Sequence, residues 1–170
     1  FMQRNTVLTL PGFLLSLSRD DAKVLFSNRD PESIIATVNG FLESEEKRFT
    51  GCILDLEKNW NPIHRCLSDG SIDPNAGEQP LNHTILGGRH LYHQADRFVV
   101  LVRPDMVRHV AEALAKADVS QLEAKHKELP SDVLEESDDW PTVKTALQRI
   151  AALYKEAADD GNAVVFTAER

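Results

Sequence analysis

The run Leu54-Asp55-Leu56-Glu57-Lys58-Asn59-Trp60-Asn61-Pro62-Ile63-His64 holds the residue types best suited to chemistry. If the segment after Leu56 is helical, Trp60 and His64 stand at i and i+4 and share one face. Asp55 lies just upstream, placed either to cap that helix or to orient an imidazole. An Asp–His pair would do general acid–base work. The plainer account is a capped helix whose tryptophan fills the core and whose histidine is hydrogen-bonded. The sequence has no serine or cysteine in a recognisable nucleophile elbow. The plainer account is therefore expected, with no catalytic set and with Trp60 largely buried.

Histidines form the second cluster. His64, His83, His90 and His93 fall within one short stretch, and the last two make an H-x-x-H. Three imidazoles suffice for a zinc site, but this spacing matches no zinc signature. Neither a metal nor a cofactor is expected. The paired glycines Gly87-Gly88 could let a phosphate or carboxylate approach the backbone. Without a G-x-G-x-x-G or a Walker lysine, a tight turn accounts for them better. A rival reading gathers Asp55, Trp60, His64 and His83 around a pocket near Gly87-Gly88, which would make a small enzyme or ligand-binding domain.

The third feature is acidic. Asp132, Glu135, Glu136, Asp138 and Asp139 occur with no base among them and end on Trp140-Pro141. The spacing is not that of an EF-hand. A solvated connector is the ordinary reading of such a run. An aromatic beside clustered acids can also anchor a basic partner, which adds these residues and Trp140 to Trp60, Gly87 and Gly88 as the binding candidates.

Bulk composition narrows the classes. The 170 residues carry 27 acids against 19 bases, a formal charge of −8, spread evenly along the chain. Phosphate-backbone binding needs clustered Lys and Arg, so no nucleic-acid role is expected; a basic protein would be attracted instead. Cys52 and Cys66 read as buried thiols in a reducing compartment. Val7–Ser18 imitates a signal sequence, but Pro11-Gly12 breaks it, and no apolar run reaches the ~18 residues of a membrane span. A cytoplasmic protein without membrane contact is expected. Phe1 precedes Met2, so the natural chain is expected to begin at Met2, with one domain over 2–170.

These residues need elements to hold them. Phe13–Leu17 reads as a strand, and Ser18 caps a helix over Arg19–Ser27. Asp30-Pro31 opens a second helix whose face is Ile34, Ile35, Val38, Phe41 and Leu42. Glu43–Arg48 is expected to be its solvated end. A strand at Cys52–Leu56 leads to a helix over about 58–67 and a loop over Ser68–Pro80. Phe98–Val102 reads as a strand buried on both faces, followed by helices from Pro104 and over Ser120–Leu129. The longest helix spans Pro141–Asp160, stopped by Gly161, before a last strand at Ala163–Phe166. This is an α+β pattern, a small mixed sheet packed against several helices.

The succession of these stretches resembles the YfbM-like proteins, a bacterial domain family of unknown function. The resemblance runs through Leu54–Trp60, Pro80-Leu81, Ile85-Leu86-Gly87-Gly88 and Arg103-Pro104-Asp105-Met106-Val107. It ends with Leu153–Ala158 and Gly161–Val165. Asn61-Pro62, the acidic connector and the region around His90 depart from the pattern. The resemblance implies an α+β fold of the YfbM type and carries no activity with it. Small size, net acidity and the lack of a catalytic set together point to a non-catalytic binding protein. An immunity protein that neutralises a basic bacterial toxin is the concrete form of that expectation.

Overall fold

The computed structural model describes residues 10–94, 96–135 and 138–169. The expectations placed on Phe1, Met2 and Glu136 lie outside the described residues. In chain order the elements are β1 (Gly12–Leu17), α1 (Arg19–Ser27), α2 (Pro31–Glu43), α3 (Glu45–Phe49), β2 (Ile53–Glu57), α4 (Trp60–Cys66), β3 (Arg89–Gln94), β4 (Arg97–Val102), α5 (Pro104–Lys116), α6 (Val119–Glu128), α7 (Trp140–Asp160) and β5 (Ala163–Glu169). Short 3-10 turns occupy Leu81–His83 and Ser131–Val133.

One five-stranded sheet runs in the order β2-β1-β5-β4-β3. Each neighbouring pair is antiparallel, so the sheet is not the mixed one expected. The apolar run of β4 fits a strand buried on both faces. All six of its residues are buried, but helices cover both faces here without any parallel crossover. Strand alternation sends Leu14, Val100, Val102, Val164 and Phe166 to one face, where they meet side chains of α4, α5 and α7. Leu15, Leu17, Val99, Leu101 and Val165 go to the other, against Leu25 of α1 and Ile34, Val38 and Leu42 of α2. The fold is α+β: three layers around a single sheet.

Local chemistry fixes most boundaries. Ser18 accepts the Asp21 N–H at 3.2 Å and Asp30 accepts the Ser33 N–H at 3.1 Å, starting α1 and α2 as expected. Gly161 takes φ 70°, the left-handed value that stops α7 at low cost to glycine. The charged run after α2 is not simply its frayed end. Ser44 caps a separate short helix by accepting the Lys47 N–H at 3.3 Å.

Cys66 is buried, and burial pushes its thiol up to about 11. Cys52 precedes β2 and is only partly buried, because the strand starts one residue later than the apolar run. Among the described residues no helix is long and apolar enough to cross a membrane.

Candidate functional site

β2 is an edge strand, and its exit is an unusual turn. Asp55 Oδ1 accepts the Glu57 N–H at 2.8 Å, and the Asn59 N–H donates to Leu56 O at 3.0 Å. Glu57 is thereby held at φ 49°, a left-handed conformation that is strained for a residue with a side chain. Register with β1 slips here, where Gly12 faces Glu57 and Phe13 faces Asp55, so Leu56 is the extra residue of a bulge. The turn delivers the chain into α4. It also forms one wall of an open cleft of about 460 Å³, with Asp55, Glu57 and Asn59 facing Thr142, Thr145 and Arg149 of α7.

Asp55 therefore shapes a turn; it neither caps α4 nor orients an imidazole. His64 is fully buried on α4, and its Nε2–H lies 3.3 Å from Asp73 O in the following loop. Burial is the main cause that drops the imidazole to about 4, so it is neutral at ordinary pH. The Asp–His pair allowed by spacing is not formed: the Asp55 carboxylate is taken up by the Glu57 N–H, and the His64 imidazole by Asp73 O.

Trp60 is fully buried, as expected. Its Nε1–H donates to Leu10 O at 2.6 Å, and its ring packs 5.3 Å from Phe166 and 6.1 Å from Phe98. Gly12 makes room for it: a β-carbon there would lie 2.6 Å from Trp60 Cδ1 and 2.8 Å from Phe166 Cε1. Trp60 thus holds α4 to the sheet and offers no face to a ligand.

Gly87 and Gly88 serve packing. A β-carbon on Gly87 would strike the Asn82 carbonyl, and one on Gly88 would lie 2.6 Å from Leu101 O. The Gly87 N–H is also spent on Asn82 O at 2.9 Å. His83 sits half-buried on the turn Leu81–His83, its imidazole lowered by desolvation. Of the four residues of the rival pocket, Asp55 lines the open cleft beside α7, whereas Trp60 and His64 are fully buried.

His90 and His93 do meet. Residues three apart on a regular strand face opposite ways, but a bulge between His90 and Tyr92 returns both to one face, opposite Val100 and Phe98. Their rings stack at 5.0 Å, with Nδ1 atoms 3.0 Å apart. His90 Nε2–H donates to Leu86 O at 2.7 Å, which leaves its Nδ1 to accept from His93 Nδ1–H. Among the described residues no three His, Cys, Asp or Glu side chains form a group able to hold a metal.

The acidic connector divides in two. Asp132, Glu135 and Asp139 are exposed. Asp138 is only 3% exposed and belongs to the interior. Its Oδ1 accepts from Asn59 Nδ2 at 2.6 Å, its Oδ2 accepts the Glu135 N–H at 2.9 Å, and its carbonyl accepts from His126 Nε2 at 2.7 Å. Reading Asp138 as a solvated charge is thus corrected: its partners come from α4's start and from α6. Trp140 is half-buried with its ring 5.6 Å from that of His126. Lys58 reaches Glu135 at 3.9 Å, a second tie between connector and turn.

Two features carry no obvious local signal. Thr142, Thr145 and Arg149 come to the cleft from the polar face of α7, visible only once that helix is docked. Phe49, at the end of α3, is 91% exposed. It stands just after the charged run Glu43–Arg48, and nothing in the sequence marks it as exposed.

Comparison with known proteins bears on the fold. The family model described as "Domain of unknown function (DUF1877)" matches residues 10–167. Among solved structures, the chain is similar to "a Protein of Unknown Function YfbM from Escherichia coli", with a TM-score of 0.67 and 16% identity over 94% of this chain and 99% of that one. At that identity the likeness speaks for the fold alone. No match to a curated protein reaches significance.

Proposed function

We propose that this chain, which belongs to the DUF1877 family of unknown function, acts as a non-catalytic binding protein for a basic protein partner. The observation that carries this reading is the joining of two acidic segments at one edge of the sheet. Asn59–Asp138 and Lys58–Glu135 hold the connector against the turn that ends β2. Exposed Asp55 and Glu57 thus lie beside the connector that carries exposed Asp132, Glu135 and Asp139, with Lys58 and Arg149 as the cations next to them. An excess of acids over bases on one face raises the encounter rate with a basic partner.

The same edge offers an apolar anchor. β2 runs from just past Phe49 to Glu57, so the exposed aromatic ring and the carboxylates flank a single edge strand. Interfaces draw much of their energy from a few aromatic anchors, with charged rims setting association rate. The buried, neutral state of His64 and its separation from Asp55 also favour binding over acid–base chemistry. The concrete form of the proposal is a bacterial, cytoplasmic immunity protein whose partner is a basic toxin.

The test is a paired capture from a bacterial lysate. Wild-type protein is compared with a variant carrying Glu57→Gln, Asp132→Asn, Glu135→Gln and Asp139→Asn. A basic protein retained by wild type, lost by the variant and harmless to cells only when co-expressed with the wild type is the expected result. Equal retention by both proteins, or a partner that is not basic, would count against the reading.

A further inference from the structure

On the opposite side of the sheet, away from the acidic face, lies an open cleft of about 700 Å³ between α1 and the start of α5. Its floor and walls are apolar: Ala22, Phe26, Leu101, Pro104 and Ala163. The charged residues lining it are Arg19, Lys23 and Arg103, with no carboxylate among the lining. On a chain with 27 acids and 19 bases, a cleft lined by three cations and no acid departs from the surrounding surface.

Phe26 is the second feature. It is 46% exposed, a large aromatic left partly open to water. Arg89 lies 4.7 Å from its ring centroid, adding a fourth cation beside the cleft. Arg19 is held in place by donation from its Nε to Gly161 O at 3.2 Å, so its remaining donors are pre-positioned. Arg103 makes only a long contact of 3.7 Å with Asp105, and both side chains remain well exposed.

We propose that this cleft binds a small organic anion with an apolar, preferably aromatic, body. The body would lie on Phe26 and Leu101 while the acid group meets Lys23 and Arg103. The volume falls within the ~300–1,000 Å³ usual for small-molecule sites, and an apolar lining with a few convergent polar groups is their common chemistry. Arginine and lysine supply charge-assisted hydrogen bonds to carboxylate, sulfonate or phosphate. This inference is independent of the basic partner proposed for the acidic edge.

The probe is 1-anilinonaphthalene-8-sulfonate, an aromatic sulfonate whose fluorescence rises on apolar contact, with uncharged N-phenyl-1-naphthylamine as its comparison. Saturable binding at one site is expected, tighter for the sulfonate and weakened by salt. Lys23→Glu with Arg103→Glu should weaken it by about tenfold or more. Phe26→Ala should weaken both probes. Arg108→Glu with Lys155→Glu, between α5 and α7, should leave binding unchanged, and thermal melts of each variant establish that it is folded. Non-saturable binding, equal affinity for the uncharged probe, or full binding by the folded charge-reversed variant would overturn the proposal.

Discussion

Asn59 and Asp138, separated by 79 positions in the chain, meet at 2.6 Å in the interior, the amide donating to the carboxylate. This contact closes the end of the β2–α4 turn against the segment that leads into α7. Asp138→Ala should therefore destabilise the fold by about 2–4 kcal/mol, since it removes a buried carboxylate that accepts from both the Asn59 amide and the Glu135 N–H. Asp132→Ala, at an exposed position of the same connector, should change stability by less than ~0.5 kcal/mol. Denaturant midpoints for the two variants check the contrast, and equal midpoints would return Asp138 to the solvated surface.

Trp60 and Gly12 should be energetically coupled. Trp60→Ala should cost roughly 3–5 kcal/mol, as for other large aromatic truncations in cores. Gly12→Ala should cost about 1–3 kcal/mol by overpacking against the ring, and less when Trp60 is already Leu. A double-mutant cycle of unfolding free energies measures this. Strict additivity would show that the glycine is there for another reason.

His64 predicts a pH slope. Its folded imidazole titrates near 4, well below the ordinary 6.5, so between those values the unfolded chain binds more protons. Stability should then rise with pH through that window and be lost as pH falls from 6.5 toward 4, by about 3 kcal/mol from this residue. Between pH 7 and pH 5 the part lost is about 2 kcal/mol, and His64→Leu should remove that part of the slope. Unfolding free energies at pH 7 and pH 5, wild type against variant, give the comparison, and an unchanged slope would mean the imidazole is protonated in the fold.

Phe49 separates binding from folding. With a ring 91% exposed, Phe49→Ala should leave stability within ~0.5 kcal/mol. Its effect should appear as faster dissociation from a captured partner, because anchors act on residence time. Dissociation unaltered by the substitution would remove Phe49 from the interface.

What was legible in the sequence was local. Ser18, Asp30 and Gly161 mark helix ends through bonds to neighbours a few positions away, and the apolar run of β4 announces burial on both faces. The histidine pair was not legible, because His90 and His93 share a face only through a bulge that depends on pairing with β4. Asp138 was misread for a related reason: its acidic neighbours suggest solvent, whereas its partner Asn59 comes from the other half of the chain. Asp55 and His64 have suggestive spacing, but the Asp55 carboxylate is spent on the Glu57 N–H and His64 is buried against Asp73 O.

The central claim is that the acidic edge recruits a basic partner, and association kinetics test it most directly. Electrostatic steering acts on the encounter rate and is screened over a Debye length of about 8 Å at physiological salt. Stopped-flow mixing of the captured partner with wild type and with the Glu57, Asp132, Glu135 and Asp139 variant, at low and high salt, reads it out. The account predicts slower association for the variant, a flatter salt dependence and little change in dissociation. Identical association rates at both salt concentrations would contradict it and place the interface elsewhere.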